Sequence, residues 1–188
     1  LHPTLTTNIQ NAKPSEEITQ ENSVIKTQQN TAEEEGKGGN TQSPVIQSQQ
    51  HERRDFTPAD IITYENGDTY QGGWSNGKWH GQGLWTSGDK KSSYEGNYAF
   101  GKRDGKGKMQ YSNGDVYDGN WQHGKKHGKG NYLWASDGSH YKGDWKEDKR
   151  DGSGFIQYAN GDKYMGNWRN DNFEGKGIYL WPDKRRYE

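Results

Sequence analysis

The sequence contains no cysteine, and hydrophobic residues make up only 26% of its 188 positions. The absence of cysteine excludes a disulfide framework and a thiolate metal site, and it leaves the redox compartment open. No apolar run approaches the length of a membrane span or of a signal-peptide core. A thick conventional core is therefore not expected, and another source of buried surface is needed.

The chain also lacks an excess of charge of either sign, with a formal net charge of −1. The first 55 residues carry five Lys and Arg against eight Asp and Glu, and the remainder carries 20 against 18. Proteins that bind nucleic acid usually show a strongly basic face or stripe. We therefore expect no nucleic-acid partner.

Aromatic residues are missing from the N-terminal segment. All 24 aromatic residues and 24 of the 27 glycines lie at Phe56 or later. A segment rich in Gln, Asn, Thr, Ser and Glu cannot bury enough apolar surface to offset the entropy of ordering it. We predict that 1–55 is a disordered low-complexity tail and that 56–188 is the folded domain; the alternative is a tail that folds onto a partner or onto a groove of the domain. Because the chain begins with Leu1, we expect a fragment or a processed form.

The folded part repeats one motif, Tyr-x-Gly-x-Trp, followed about ten residues later by Gly-x-Gly. Successive first tyrosines are 24, 23, 24, 23 and 23 residues apart, and they are Tyr70, Tyr94, Tyr117, Tyr141, Tyr164 and Tyr187. A fixed period in the twenties is typical of a stacked repeat protein. Full repeats are thus predicted to start at 70, 94, 117, 141 and 164, after a half repeat at 61–69 that caps the array.

Each motif alternates as a strand does. In Tyr117-Asp118-Gly119-Asn120-Trp121, the first, third and fifth residues share one face, because strand side chains point alternately to opposite sides. That face is aromatic, glycine, aromatic, and the other face is polar. The glycines would leave room for neighbouring rings or for the backbone of a ligand.

Turns of two kinds connect these strands. Polar segments such as 122–127 predict one turn, and Asn-Gly or Asp-Gly pairs such as Asn113-Gly114 predict tight hairpins in which both turn residues have positive φ. The result is an antiparallel meander of about eleven strands, one before the first repeat and two in each repeat. A flat ribbon would expose its aromatic side, so we expect the sheet to curl that side into a groove.

The pattern Tyr-x-Gly-x-Trp-x-x-Gly-x-x-x-Gly-x-Gly, closing with Asn-Gly-Asp-x-Tyr, resembles the MORN repeat over 61–187. Departures are Tyr98 in place of Trp, Asp148 and Asp171 in place of a mid-turn glycine, and Pro182-Asp183 in place of the last Asn-Gly. The resemblance implies an all-β, elongated, single-layer antiparallel sheet of stacked hairpins.

The resemblance also implies a function. Members of the family occur in radial spoke heads of motile cilia, in cytoskeletal collars and in junctional membrane complexes. They also occur as accessory regions of phosphatidylinositol phosphate kinases and of a lysine methyltransferase. We therefore expect a non-catalytic scaffold or assembly subunit, cytoplasmic, in a ciliary or cytoskeletal complex.

The aromatic face is the first candidate site, as a groove for an extended peptide or a helix of a protein partner. Its residues are Tyr70, Trp74, Trp85, Tyr94, Tyr98, Tyr117, Trp121, Trp134, Tyr141, Trp145, Tyr164 and Trp168. The alternative is that these rings only pack against each other, because a one-layer ribbon needs them for stability.

A row of cations at the polar turns is the second candidate, as an edge that contacts phosphoinositide headgroups. Its residues are Lys78, Lys102, Arg103, Lys125, Lys126, Lys149 and Arg150. The same turns carry acidic residues, so the attraction to an anionic membrane is weak. The alternative is a solvated charged edge that opposes aggregation.

Other sites and classes receive less support. His123 and His127 lie four apart in a turn without a recurring carboxylate, and we predict no metal, no cofactor and no enzyme activity. Carbohydrate- or choline-binding hairpin repeats also stack Trp and Tyr and remain an alternative, but the combination of Tyr-x-Gly-x-Trp with Gly-x-Gly favours the MORN repeat. We expect the C-terminal edge strand, at 187–188, to be covered by more chain, by a second copy or by another subunit.

Overall fold

The computed structural model describes residues 26–28 and 60–188, which form one antiparallel sheet of thirteen strands. The strands are β1 (Lys26–Gln28), β2 (Ile61–Thr63), β3 (Thr69–Ser75), β4 (Lys78–Thr86), β5 (Ser93–Ala99), β6 (Lys102–Gln110), β7 (Val116–Gln122), β8 (Lys125–Leu133), β9 (His140–Lys146), β10 (Lys149–Gln157), β11 (Lys163–Arg169), β12 (Asn172–Leu180) and β13 (Arg186–Tyr187). Apart from β1, the tail predicted for 1–55 lies outside the described residues.

The order of strands in the sheet is the order of strands in the chain. Each repeat is a hairpin of a seven-residue strand and a nine-residue strand. The prediction of an all-β ribbon of stacked hairpins is confirmed, and its eleven strands are β2 to β12. Two further strands lie at the ends, since β1 pairs with β2 and β13 pairs with the end of β12.

The tight two-residue turns lie at the polar segments, where a longer turn was predicted. β7 runs to Gln122 and β8 begins at Lys125, so only His123 and Gly124 connect them, with φ of 51° and 91°. Both residues lie in the left-handed region, as expected for the hairpin turns whose twist matches that of the strands. The six-residue polar turns predicted from the sequence are therefore too long, because the strands extend into them.

The Asn-Gly and Asp-Gly segments form the longer connections. At 64–68 the amide of Gly67 donates to the carbonyl of Tyr64 (2.9 Å), and only Gly67 of the Asn-Gly pair has a positive φ, of 86°. This is a type I turn followed by a left-handed glycine. The prediction that both residues have positive φ was wrong. After β4 the left-handed residue is Lys90, at φ 59°, and not Gly88.

Aspartate replaces the turn glycine in the last two repeats, and its side chain makes a bond that glycine cannot make. Asp148 and Asp171 have φ of 69° and 68°. Their carboxylates accept the backbone amides of Lys126 (2.8 Å) and Arg150 (3.0 Å) in the preceding repeat. The bond offsets part of the cost of the left-handed backbone and ties neighbouring repeats together.

The glycines of the motif make room for the tyrosine of their own repeat. Gly119 pairs with Gly130, and a Cβ atom on Gly130 would lie 2.3 Å from the Tyr117 Oη. The Tyr117 hydroxyl donates to the carbonyl of Asn120 (2.8 Å), and the equivalent bond recurs in all five repeats at 2.8–3.0 Å. These glycines therefore serve the packing of rings and not the approach of a ligand from that side.

The tryptophan of the motif joins each repeat to the one before it. The Trp121 Nε1 donates to the carbonyl of Gly107 (3.0 Å), and the Trp121 ring lies edge-on to Tyr94 with centroids 5.5 Å apart. The same arrangement recurs at Trp145 and Trp168. A continuous series of edge-to-face aromatic contacts thus forms the core, and each repeat is stable only on its neighbours.

Candidate partner-binding groove

The aromatic face predicted as a binding groove is the core of the protein. Ten of its twelve rings are at most 5% exposed, and they are Tyr70, Trp85, Tyr94, Tyr98, Tyr117, Trp121, Tyr141, Trp145, Tyr164 and Trp168. Trp74 and Trp134 are half-buried and pack against this core. The expectation that curling opens this side to a ligand is corrected, because the rings themselves fill the space above the glycines.

Three of the cations predicted at the headgroup edge also lie in the core. Arg103, Lys126 and Arg150 are only 5%, 7% and 6% exposed. Each is the second residue of a nine-residue strand. Each pairs in register with the last aromatic residue of the motif on the seven-residue strand before it, as Lys126 pairs with Trp121. We call these three residues the cation ladder. They cannot reach a headgroup, and their assignment to an exposed edge is corrected.

Each member of the cation ladder contacts the tryptophan of the following repeat. The Arg103 guanidinium lies 4.2 Å from the centroid of Trp121, and the Arg150 guanidinium lies 4.3 Å from that of Trp168. The Lys126 ammonium lies 4.5 Å from Trp145 and 4.6 Å from Tyr132. Such contacts are worth ~2 kcal/mol or more when desolvated.

The two arginines have additional hydrogen-bond partners. The Arg103 Nη2 donates to the carbonyl of Gly124 (2.9 Å), and the Arg150 Nε donates to the Asp171 Oδ1 (2.9 Å). Burial lowers the pKa of Lys126 to about 8, although the nearby carboxylates of Asp148 and Asp171 act in the opposite direction.

A repeat alignment would have revealed the ladder. Trp79 and Phe173 occupy the same position in the first and last repeats, and there they stack on Tyr70 (4.3 Å between centroids) and Tyr164 (3.8 Å). Aromatic residues at one position of a repeat indicate that the position faces the core. Grouping these cations by charge alone hides this signal.

The exposed part of the predicted edge is a row of four lysines, one in each of the first four repeats. These are Lys78, Lys102, Lys125 and Lys149, each at the start of a nine-residue strand. Lys125 forms an ion pair with Glu147 at 2.5 Å. The edge therefore carries fewer available cations than the sequence suggested.

The opposite face of the sheet contains a groove of about 830 Å³ that runs across successive strands. Its floor is the row of motif glycines Gly119, Gly130, Gly143, Gly154 and Gly166. The residues on one side of those glycines form the first wall: Asp118, Asn131, Lys142, Phe155 and Met165. The residues on the other side form the second wall: Lys106, Asn120, Lys129, Ser153 and Asn167. We call this feature the glycine groove.

The two ends of the glycine groove differ in chemistry. Its cations lie on β6, β8 and β9, and its apolar side chains lie on β10 and β11. Lys129 is paired with Asp144 (2.7 Å), whereas Lys106 and Lys142 have no ion pair within residues 60–188. Met165 is 56% exposed, and it lies in register between Phe155 and Ile178 on neighbouring strands. The groove thus combines three cations, the carboxylate of Asp118, amides and exposed apolar surface.

Neither a metal centre nor a membrane-spanning helix is found in the described part of the chain. There, no group of three His, Asp or Glu side chains is placed to hold a metal ion, and His123 instead lies 3.4 Å from Asp104. No helix that could span a membrane occurs in that part.

The fold and the groove together define a repeat protein of the binding or scaffolding class. Five matches to the MORN repeat cover 70–91, 94–116, 117–139, 141–163 and 164–184, which is more than half of the chain. The chain therefore belongs to the MORN-repeat family, and the resemblance noted in the sequence is confirmed.

Two solved structures show a distant likeness. The TCP domain of SAS-4 from Drosophila melanogaster, in complex with a proline-rich motif of Ana2, is 16% identical over 77% of this chain and 96% of its own, with a TM-score of 0.40. The TCP10c domain of Drosophila melanogaster Sas-4 is 14% identical over 71% of this chain and 94% of its own, with a TM-score of 0.35. Scores this low carry no information about a partner. A search of curated proteins gave no match.

Proposed function

We propose that the chain is a non-catalytic scaffold or assembly subunit that binds a protein partner in the glycine groove. The observation that carries this proposal is the groove itself, with its open backbone floor and its exposed Met165. The buried aromatic face cannot serve in this way without unfolding the core. The polar and apolar side chains of the groove suit recognition of a polypeptide, which offers both kinds of contact.

We place this scaffold in a ciliary or cytoskeletal complex, and so in the cytoplasm. Membership of the MORN-repeat family supports that location by analogy, and the elongated single-layer sheet suits a structural subunit. A peripheral contact with anionic membranes receives less support, because three of the seven predicted cations are buried.

The C-terminal edge is a second place for association, and we propose that more chain, a second copy or another subunit covers it. Only Tyr179 and Leu180 of β12 pair with β13, so most of the outer edge of β12 has no strand beside it within 60–188. Phe173 is 39% exposed there, while its counterparts in the inner repeats are buried. Light scattering after size exclusion tests this proposal, and a strict monomer at all concentrations would contradict self-association.

Site-specific photo-crosslinking tests the groove. A photoreactive phenylalanine analogue at Met165 should give crosslinked protein adducts in extract from the native source, whereas the analogue at Phe100, which is 70% exposed outside the groove, should not give the same adducts. Ser153→Trp fills the groove and should abolish the Met165 adducts. Ser112→Trp makes the same change in an exposed turn and should not. Adducts that survive Ser153→Trp would refute the proposal.

A further inference from the structure

We infer that the glycine groove binds an extended segment of a partner protein, with two acidic residues about four positions apart and apolar residues beside one of them. This inference rests on the proposed function and specifies its ligand. Three features carry it: the width of the groove, the positions of its two lysines without ion pairs, and its apolar end.

The width of the groove excludes a helix from its floor. The two walls flank the glycines and are separated by two residues along each strand, or about 7 Å. An α-helix with side chains is about 10–12 Å across. An extended chain is narrower, and it meets bare backbone on the floor, because a Cβ atom at a floor position such as Gly130 would lie on the ring-bearing face and not in the groove.

The length of the groove sets the length of the ligand. From Gly119 on β7 to Gly166 on β11 there are four strand spacings, or about 19 Å. About six residues of extended chain cover this length.

Two lysines set the charge and the spacing of the ligand. Lys106 lies on the second wall at β6, and Lys142 lies on the first wall at β9. Three strand spacings separate them along the groove, or about 14 Å, which corresponds to about four residues of an extended chain. Carboxylates at that spacing would pair with both lysines, one on each wall.

The apolar end of the groove determines which residues the ligand carries next to its second carboxylate. Phe155 and Met165 lie on the same wall as Lys142, one and two strands further along, or about 5 and 10 Å away. Phe155 is partly buried and its ring lies 6.1 Å from that of His140. Apolar side chains one to three residues beyond the acid would cover this surface.

Synthetic peptides test the inference on the full chain. The probe is a fluorescent peptide of roughly eight residues, with two glutamates four positions apart and two leucines next to the second, made in both chain directions. Fluorescence anisotropy should show binding of one direction at least, with weaker binding at higher salt. The same peptide with lysines in place of the glutamates should bind at least about fivefold more weakly. Equal binding of both peptides would overturn the inference.

Matched variants locate the contact. Lys142→Glu should weaken binding about fivefold or more, while Lys163→Glu, on the same face outside the groove, should change it less than about twofold. Met165→Ser should weaken binding in the same way, with Leu180→Ser as its control. Equal effects within either pair of variants would overturn the inference.

The conformation of the ligand is tested with proline. Two prolines between the glutamates block a helix but suit an extended chain, and the face of a sheet requires no hydrogen bonds from the peptide. Binding should change less than about threefold. A large loss with proline, or tighter binding of a peptide constrained as a helix, would overturn the inference.

Two further results separate this inference from its rivals. If Glu16→Gln, Glu17→Gln and Glu21→Gln together strengthen peptide binding severalfold, the tail of the chain occupies the groove, and the partner assignment falls. If the Met165 adducts depend on an open groove but no peptide binds, the inference fails while the proposed function stands. If those adducts are absent or insensitive to Ser153→Trp, the proposed function itself fails.

Discussion

Replacing Lys126 with methionine tests whether a charged ammonium lies within the aromatic core. Burial lowers the pKa of Lys126 from 10.5 to about 8. The unfolded chain therefore holds this proton more tightly than the folded chain. Stability from this group is lowest below about pH 8, and it rises as pH increases from about 8 towards 10.5.

The size of the effect is set by the shift in pKa. A difference of about 2.5 pKa units means that the free energy of unfolding is about 3 kcal/mol lower well below pH 8 than well above pH 10.5. Between about pH 7.5 and about pH 9.5, the wild type should gain about 2 kcal/mol in free energy of unfolding relative to Lys126→Met. Ionisation of tyrosines changes both proteins equally and cancels in this comparison.

Urea unfolding followed by tryptophan fluorescence at several pH values measures this difference. Lys125→Met is the matched control, because Lys125 is an adjacent lysine whose surface ion pair contributes at most about 1 kcal/mol. Its stability difference from the wild type should not change over the same range. The difference in free energy of unfolding between the wild type and Lys126→Met should therefore vary with pH. A difference that stays constant within about 0.5 kcal/mol would refute the claim that Lys126 is a buried ammonium with a lowered pKa.

Three further predictions concern the core. Gly130→Ala places a Cβ atom against the ring of Tyr117. It should lower the free energy of unfolding in urea by about 2 kcal/mol more than Gly124→Ala, whose Cβ atom meets open space although its φ is left-handed. Equal losses of stability would contradict this packing. Asp115→Ala should lower the free energy of unfolding by about 2–4 kcal/mol, because the buried carboxylate accepts hydrogen bonds from a phenol hydroxyl and a backbone amide of the following repeat. The exposed control, Asp118→Ala, should lower it by less than about 0.5 kcal/mol. Burial raises the pKa of eleven of the twelve tyrosines, so the free energy of unfolding should fall as pH rises through 10. Phenolate absorbance should then appear together with loss of the sheet, and phenolate in a folded sheet would contradict this.

The strand order and the identity of the core faces could be predicted from the sequence. The period of the first tyrosines and the alternation around Gly119 suffice, because strand side chains alternate and a constant period stacks equal units. The positions of the tight turns could not be predicted in this way. Asn113-Gly114 and His123-Gly124 are both compatible with a hairpin, and the lengths of the strands between them decide which is short.

The interior position of Lys126 also required the three-dimensional structure. A lysine beside a turn is normally solvated, and it becomes a core residue only because rings of two repeats surround its ammonium. The groove was missed for a related reason. The sequence predicts only that residues such as Asp118 and Lys142 form the polar face of the motif strand, whereas the space between the walls depends on where the side chains of several neighbouring strands lie.

The cation ladder gives the array a direction. Each cation belongs to one hairpin and completes the aromatic enclosure of the next, while Trp79 and Phe173 stand in its place at the two ends. Inner and outer units are therefore not interchangeable. Duplicating an inner repeat should lengthen the ribbon, because each cation would again contact the tryptophan of the next repeat. Moving an end repeat inward would place an aromatic ring at a position where the neighbouring repeat contacts a cation.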